Sequence, residues 1–439
     1  MVASVPSAAS YVLADAGVPR ALMDAPASGE IGRFDLTIAD GIIAAIGPAG
    51  SADPALPRHD CDGGLVLPCF ADLHTHLDKG HIWPRRQNPD GTWMGALLAV
   101  KADREARWAA VDVARRMDFA LRCAYAHGTA AIRTHLDSAP PQHEITWDIF
   151  EEARSNWAGR IELQGVALMG PDIILDKAAL RAVAERVKAA GGILGGSSAV
   201  HPDNRAIMRN LVEAAGEFGL DLDIHTDETG DPAADALRSL ADAVIETGFA
   251  GRVVAGHCCA LARQDEATAR ATIERVTEAG IAVVSLPMCN MYLQDRDACG
   301  ALTPRWRGVT LLKELKAAGV AVAIASDNTR DPFYAYGDLD GMEVLREGAR
   351  ILHFDHPQDA AWAWTRSIGA DPAAIAGFAH SATIAVGWPA DLILTRARNW
   401  TELMSRPQAD RVVVRRGRAV DTTLPDYREL DDLMGVVAS

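Results

Sequence analysis

Short apolar runs alternate with longer amphipathic segments through the middle of this chain. Runs at 64–73, 130–136, 161–169, 192–196, 220–224, 252–255, 281–286 and 320–325 are rich in Val, Ile, Leu and Ala and read as buried strands. Between them, alanine-rich segments such as 177–190, 205–218, 232–247 and 265–279 repeat their apolar residues at helical spacing. Several end in Ala-Gly or Phe-Gly, a helix-ending signature. Strand–helix alternation repeated this often predicts a (β/α)8 barrel over residues 66–384. A doubly wound open sheet would carry the same alternation. Further helical segments are expected at 339–353, 359–367 and 372–380.

The two ends have another texture. Residues 34–38 and 41–46 are short β-like runs split by Ala39-Asp40-Gly41, a hairpin signal. Residues 391–394 and 411–416 are again short apolar strands, the second followed by Gly417 and then Ala419-Val420. β-rich ends around an α/β middle predict a small accessory β-sandwich assembled from residues 1–65 and 385–439.

Polar residues of metal-ligand type recur where the predicted strands end. His74 and His76 close the first strand in A-D-L-H-T-H-L-D-K. His225 closes another in D-I-H-T-D-E, His257 a third in V-V-A-G-H, and Asp327 a fourth in V-A-I-A-S-D-N. Residues i and i+2 of a strand face one side, so His74 and His76 can reach one ion. Barrel active sites occupy the edge where the strands end, which makes one shared site the economical reading. An open sheet gives no reason for ligands at so many strand ends. Imidazole with carboxylate suits zinc or iron(II), and three histidines with one aspartate leave room for a water. A metal makes that water a source of hydroxide at neutral pH.

Other residues complete the picture. Glu228, three residues past His225, can lean over the site as a proton carrier; Asp227 is its rival. His257 is either a ligand of a second ion or a hydrogen-bonding base beside the first. Asp327 can ligate through one oxygen and take a water proton through the other. His135, in I-R-T-H-L-D, reads as a residue behind the ligands or lining the pocket. Asn290, Gln294, His81, Trp83, Arg330 and Asp331 lie on loops past strand ends and are pocket candidates.

Composition narrows the function. The chain has 439 residues, of which 49% are hydrophobic, and a formal net charge of -16. That charge argues against nucleic acid as a partner, because such binding needs a basic surface. No run of about 20 residues is continuously apolar, so no membrane span is expected. Asp15 interrupts the one N-terminal run that could serve as a signal peptide. The seven cysteines are odd in number and form no C-x-x-C pair, which suits reduced thiols in a cytoplasm. Cys258 and Cys259 read as packing beside the site. The chain has no H-E-x-x-H, no G-x-x-x-x-G-K-[ST], and no H-x-E followed by P-C-x-x-C.

The blocks P-C-F-A-D-L-H-T-H-L-D-K, A-I-R-T-H-L-D, D-I-H-T-D-E, V-V-A-G-H and A-S-D-N-T-R-D-P-F together resemble the amidohydrolase superfamily, in its cytosine deaminase-like branch. The resemblance runs from about Gly41 to Val420. It implies one divalent metal, zinc or iron(II), held by His74, His76, His225 and Asp327. It implies Glu228 as the acid that protonates a ring nitrogen and His257 as the group that orients the water. Metal-hydroxide attack on an amidine-like ring carbon then releases ammonia. Two-metal members of the superfamily usually carry a lysine ending the fourth strand, where this chain reads G-G-S-S-A-V-H. Cytosine deaminases resemble one another in a glutamine after the third strand, where this chain offers Met169 or Gly170; Gln164 lies earlier.

The reading is therefore a deaminase of a small heterocycle, a cytosine- or isocytosine-type pyrimidine or a pterin. The alternative is an N-substituted aminotriazine amidohydrolase releasing an alkylamine; some such relatives carry histidine near Glu228. Met169, Asn290, Asn328 and His135 are the candidate pocket residues. A homo-oligomer is left open.

Overall fold

The structure is a computed structural model that describes residues 5–24, 30–357 and 360–435. They group into two compact units. One comprises Met1–Asp72, Arg122–Ala131 and Leu339–Pro425; the other comprises Leu73–Leu121, Ile132–Asp338 and Asp426–Ser439.

In the first unit, β1 (Ser10–Pro19), β2 (Ile31–Ala39), β3 (Ile42–Pro48) and β4 (Arg58–Asp60) form a sheet in the order β3-β2-β1-β4. β5 (Val66–Pro68) joins a second sheet with three late strands, Leu392–Leu394, Val412–Arg415 and Arg418–Ala419. Leu13, Val18, Leu36, Ile38 and Ile43 from the first sheet share one buried cluster with Val66, Leu392 and Val414 from the second. This is the small β-sandwich that the two chain ends predict. The β2–β3 hairpin turns at Asp40 and Gly41, whose φ angles are 51° and 83°. Two positive φ values make the primed turn that matches the strand twist. β1 is a strand that the apolar pattern missed. A bulge between Leu13 and Ala16 accommodates Asp15 at φ 51°, and its carboxylate accepts a 2.8 Å hydrogen bond from Arg33 Nε. The charge that broke the apolar run is absorbed by the bulge.

The second architecture is built from eight strands. β6 (Phe70–Thr75), β7 (Thr129–Asp137) and β8 (Glu162–Leu168) form one sheet in that order. β9 (Leu194–Ser198), β10 (Leu222–Thr226), β11 (Val253–His257), β12 (Ala282–Ser285) and β13 (Val322–Ile324) form another, also in chain order, with parallel pairing throughout. Two parallel bridges, Val166 with Ile193 and Thr75 with Asp327, join the sheets at both edges. Chain order around a closed ring is the topology of a (β/α)8 barrel, as the alternation predicts.

The intervening helices fall near their predicted places, among them Lys177–Ala189, Asn204–Phe218 and Glu266–Glu278, the last capped by Asp265. The segment predicted at 232–247 becomes helical only at Ala236. The carboxylate of Asp227 accepts the backbone N–H groups of Ala236 and Leu237 at 2.9 and 3.0 Å, which sets that start. The later helical expectations correspond to Gly341–Leu352, a 3-10 helix Ala361–Ile368 and Ala370–Ala376; residue 359 lies outside the described residues. No helix among the described residues is long and apolar enough to cross a membrane.

Candidate metal centre and active site

The barrel brings four of the predicted residues to one point. His74 lies in β6 and His76 just past it; His225 lies in β10, and Asp327 follows β13. His225 Nε2 is 3.2 Å from both His74 Nε2 and His76 Nε2. Asp327 Oδ1 is 3.2 Å from His76 Nε2 and 3.7 Å from His74 Nε2. A tetrahedral ion with bonds of about 2.0–2.1 Å would separate its ligands by about 3.3–3.4 Å. The spacing therefore fits one divalent cation.

Electrostatics agree with that fit. Burial, the largest cause, and neighbouring positive groups hold the pKa values of His74, His76 and His225 well below the ordinary histidine range. Neutral imidazoles present lone pairs, and lone pairs of several rings converging in a dry pocket call for a cation. Gly256 on β11 makes room for them: a Cβ there would meet the His74 ring at 3.0 Å.

His257 ends β11 at φ 68°, and Asp327 sits at φ 64°. Such left-handed non-glycine residues cluster at functional sites. His257 Nδ1 is 2.9 Å from the Asn290 amide and 3.5 Å from Glu228 Oε1. Burial first, then the charge of Lys79, pull His257 down to about 3, so its ring is neutral. Among the described residues its Nε2 has no hydrogen-bond partner. Glu228 Oε2 accepts a 2.7 Å hydrogen bond from Trp93 Nε1. Burial, followed by the nearby Asp327 charge, pushes Glu228 up to about 8. A carboxyl that stays protonated near neutral pH is equipped to donate a proton. Asp227 has a different task, since both its oxygens are taken by the helix start described above.

A cavity of about 410 Å³ opens from this cluster. Its wall includes His76, His225, Glu228, His257 and Asp327, with Met169, Asn328, Ser197, Lys79, Trp93 and Phe333. Met169 and Asn328, two of the pocket candidates, are among its lining residues. Asn290 is not among the lining residues; its amide lies against His257 Nδ1. His135 does not line the cavity; it is fully buried, its ring centroid 4.0 Å from that of His74 and 4.5 Å from that of His225. Gln164 is also elsewhere: its Oε1 accepts from Arg133 Nε and Nη2 at 3.0 and 2.8 Å. The end of β9 supplies Ser197 and Ser198 and no lysine.

Sequence reasoning missed Trp93, Lys79 and Phe333. Lys79 stands in the quoted block beside the paired histidines, and its charge was legible there. Trp93 opens a helix (Trp93–Arg107) far along the chain from Glu228, and no periodic signal ties the two.

Residues 175–424 match the family described as the amidohydrolase family. A pterin deaminase of Rhizobium rhizogenes is 55% identical over 435 residues, covering 98% of each chain. An N-isopropylammelide isopropyl amidohydrolase of a Pseudomonas species is 24% identical, covering 82% of this chain and 87% of its own. The crystal structure of 5-methylcytosine deaminase from Klebsiella pneumoniae with 5-fluorocytosine superposes with a TM-score of 0.80 at 24% identity, covering 94% of this chain and 98% of that one.

Proposed function

The chain belongs to the amidohydrolase family, and on that premise we propose that it hydrolytically deaminates a pterin, releasing ammonia. The observation that carries the chemistry is Glu228: a largely buried, proton-bearing carboxyl beside a cluster of three neutral imidazoles and a carboxylate. Likeness over nearly the whole length to a pterin deaminase supports the ring. The lack of a pocket glutamine after the third strand weighs against cytosine.

In this reading His74, His76, His225 and Asp327 hold one zinc or iron(II) ion; with no lysine ending β9, a second ion has no such ligand. When bound, the ion lowers the pKa of a water and supplies the nucleophile. The protein groups do the rest. His257, held by Asn290, presents Nε2 to orient the water. Asp327 has a second oxygen to take a proton. Trp93 holds Glu228 Oε2, which leaves Oε1 to carry the proton to a ring nitrogen. That proton arrives as charge develops on the ring, so the stabilisation favours the transition state over the bound substrate. The free cysteines suit a reducing cytoplasm.

The test is ammonia release from pterin, cytosine, isocytosine and ammelide, with amine release from N-isopropylammelide alongside. Ammonia from pterin at the highest kcat/KM is expected. Isopropylamine from N-isopropylammelide with no ammonia from pterin would overturn the reading.

A further inference from the structure

Lys79 is an unusual residue for its place. It is 5% exposed, it lines the cavity, and it follows the paired histidines on the same strand end. Among the described residues its ammonium makes no hydrogen bond or ion pair; it lies over the face of Phe333, 4.6 Å from the ring centroid. A cation–π contact offsets only part of the cost of burying an ammonium. The nearby carboxylates bond to other groups, although among the described residues Asp78 Oδ1 has no hydrogen-bond partner. Asp78 Oδ2 accepts the Asp137 N–H at 2.7 Å. Asp331 accepts Asn328 Nδ2 at 2.7 Å and the Phe333 N–H at 2.8 Å. The cavity's other cations differ: Arg104 is paired with Asp137 at 2.8 Å, and Lys101 is exposed.

The charge of Lys79 acts on Asp78, Glu228 and Asp331 without a direct bond to any of them, and a buried ammonium that faces a substrate cavity with unused donors is matched to an oxygen that arrives with the substrate. We propose that Lys79 binds the ring carbonyl of a 2-amino-4-oxo heterocycle and thereby selects substrates that carry it. This inference rests on the pterin reading above. In such a ring the amino-bearing carbon, C2, is joined through one ring nitrogen, N3, to the C4 carbonyl. In the tautomer with a C2=N3 double bond, water oxygen bonding to C2 displaces that electron pair onto N3, and it spreads onto the C4 oxygen. The C2–NH2 bond then breaks and C2=O forms; one water proton ends on the ring nitrogen and the other on the departing ammonia. Lys79 remains an ammonium throughout and donates a hydrogen bond to the C4 oxygen. That bond strengthens as the oxygen gains charge, so it serves both recognition and turnover. Phe333 keeps the ammonium aimed into the cavity.

The experiment compares pterin with 2-aminopteridine, which lacks the 4-oxo group, in the wild type, Lys79→Met and Lys79→Arg. Lys79→Met is expected to lose about 100-fold in kcat/KM on pterin, as for a charge-assisted hydrogen bond, and less than threefold on 2-aminopteridine. Lys79→Arg should regain at least tenfold of the loss. Fluorescence titration with the product, 2,4-dioxopteridine, should show the same weakening in Lys79→Met with metal content unchanged. Equal losses on both substrates, or no loss on pterin, would overturn the role of Lys79. Ammonia from neither pteridine with wild-type enzyme would instead overturn the pterin reading. The same variants on isocytosine and 2-aminopyrimidine then decide the case for Lys79 by the same criteria.

Discussion

Glu228 shows how a single side chain is tuned by its surroundings. Its carboxyl is pushed up to about 8 by burial and by the charge of Asp327, while the Trp93 indole N–H pulls the other way. Glu228→Gln keeps the shape and removes the transferable proton. It should lower kcat by about 10³-fold, the usual scale of a lost general acid, and leave metal content unchanged by elemental analysis. Retained turnover would remove Glu228 from the proton path. Trp93→Phe is the finer probe, because it keeps an aromatic ring against Phe333 and deletes one donor. Losing that donor raises the Glu228 pKa further, so the protonated form persists to higher pH. The alkaline limb of the kcat profile should move up, with kcat down about tenfold, on the scale of one hydrogen bond to a charged group, and KM within twofold. An unmoved limb would mean that Trp93 only packs. Glu228 was legible from the sequence because it sits three residues past His225. Trp93 was not, because a contact made across the chain leaves no trace in local spacing.

At the scale of elements, the strand ends carried most of the readable information. A residue ending a barrel strand must face the open edge, so position alone selected His74, His76, His225, His257 and Asp327. Loops and helix starts obey no such rule, and there the reading left two acids, Asp227 and Glu228, as rivals. The structure separates them by what each caps. Asp227 spends both oxygens on the first N–H groups of the helix Ala236–Thr247, which follows β10 and its ligand. Asp227→Ala should therefore lower stability by about 1–2 kcal/mol in urea unfolding, while Asp227→Asn keeps an acceptor and loses less. If Asp227→Ala instead destroyed activity in a protein of unchanged stability, the catalytic assignment would pass to it. β1 was hidden for a similar reason. A bulge lets Asp15 interrupt an otherwise apolar strand, and pattern reading takes such an interruption for the end of an element.

For the molecule as a whole, the candidate ligands come from both sheets of the barrel. His74 belongs to the three-stranded sheet and His76 follows directly; His225 belongs to the five-stranded sheet, and Asp327 follows its last strand. Between β6 and β13 the ring closes on one bridge, Thr75 with Asp327, and on the Asp327 N–H donated to the His74 carbonyl at 2.9 Å. Within the five-stranded sheet, by contrast, β10 and β11 pair over five successive residues. An ion bound by all four ligands would thus fasten the barrel where its backbone pairing is thinnest, and its binding energy would add to the stability of the closed ring. Chelation should abolish deamination and lower Tm, and zinc or iron(II) should restore both. Hydrogen exchange locates the effect. On metal removal, amides around Thr75 and Asp327 should exchange faster, while those of Val254 and Ala255 in β11 keep their protection. Uniform acceleration across the barrel would mean that the ion stabilises the fold globally, and unchanged exchange at the seam would mean that backbone closure needs no ion.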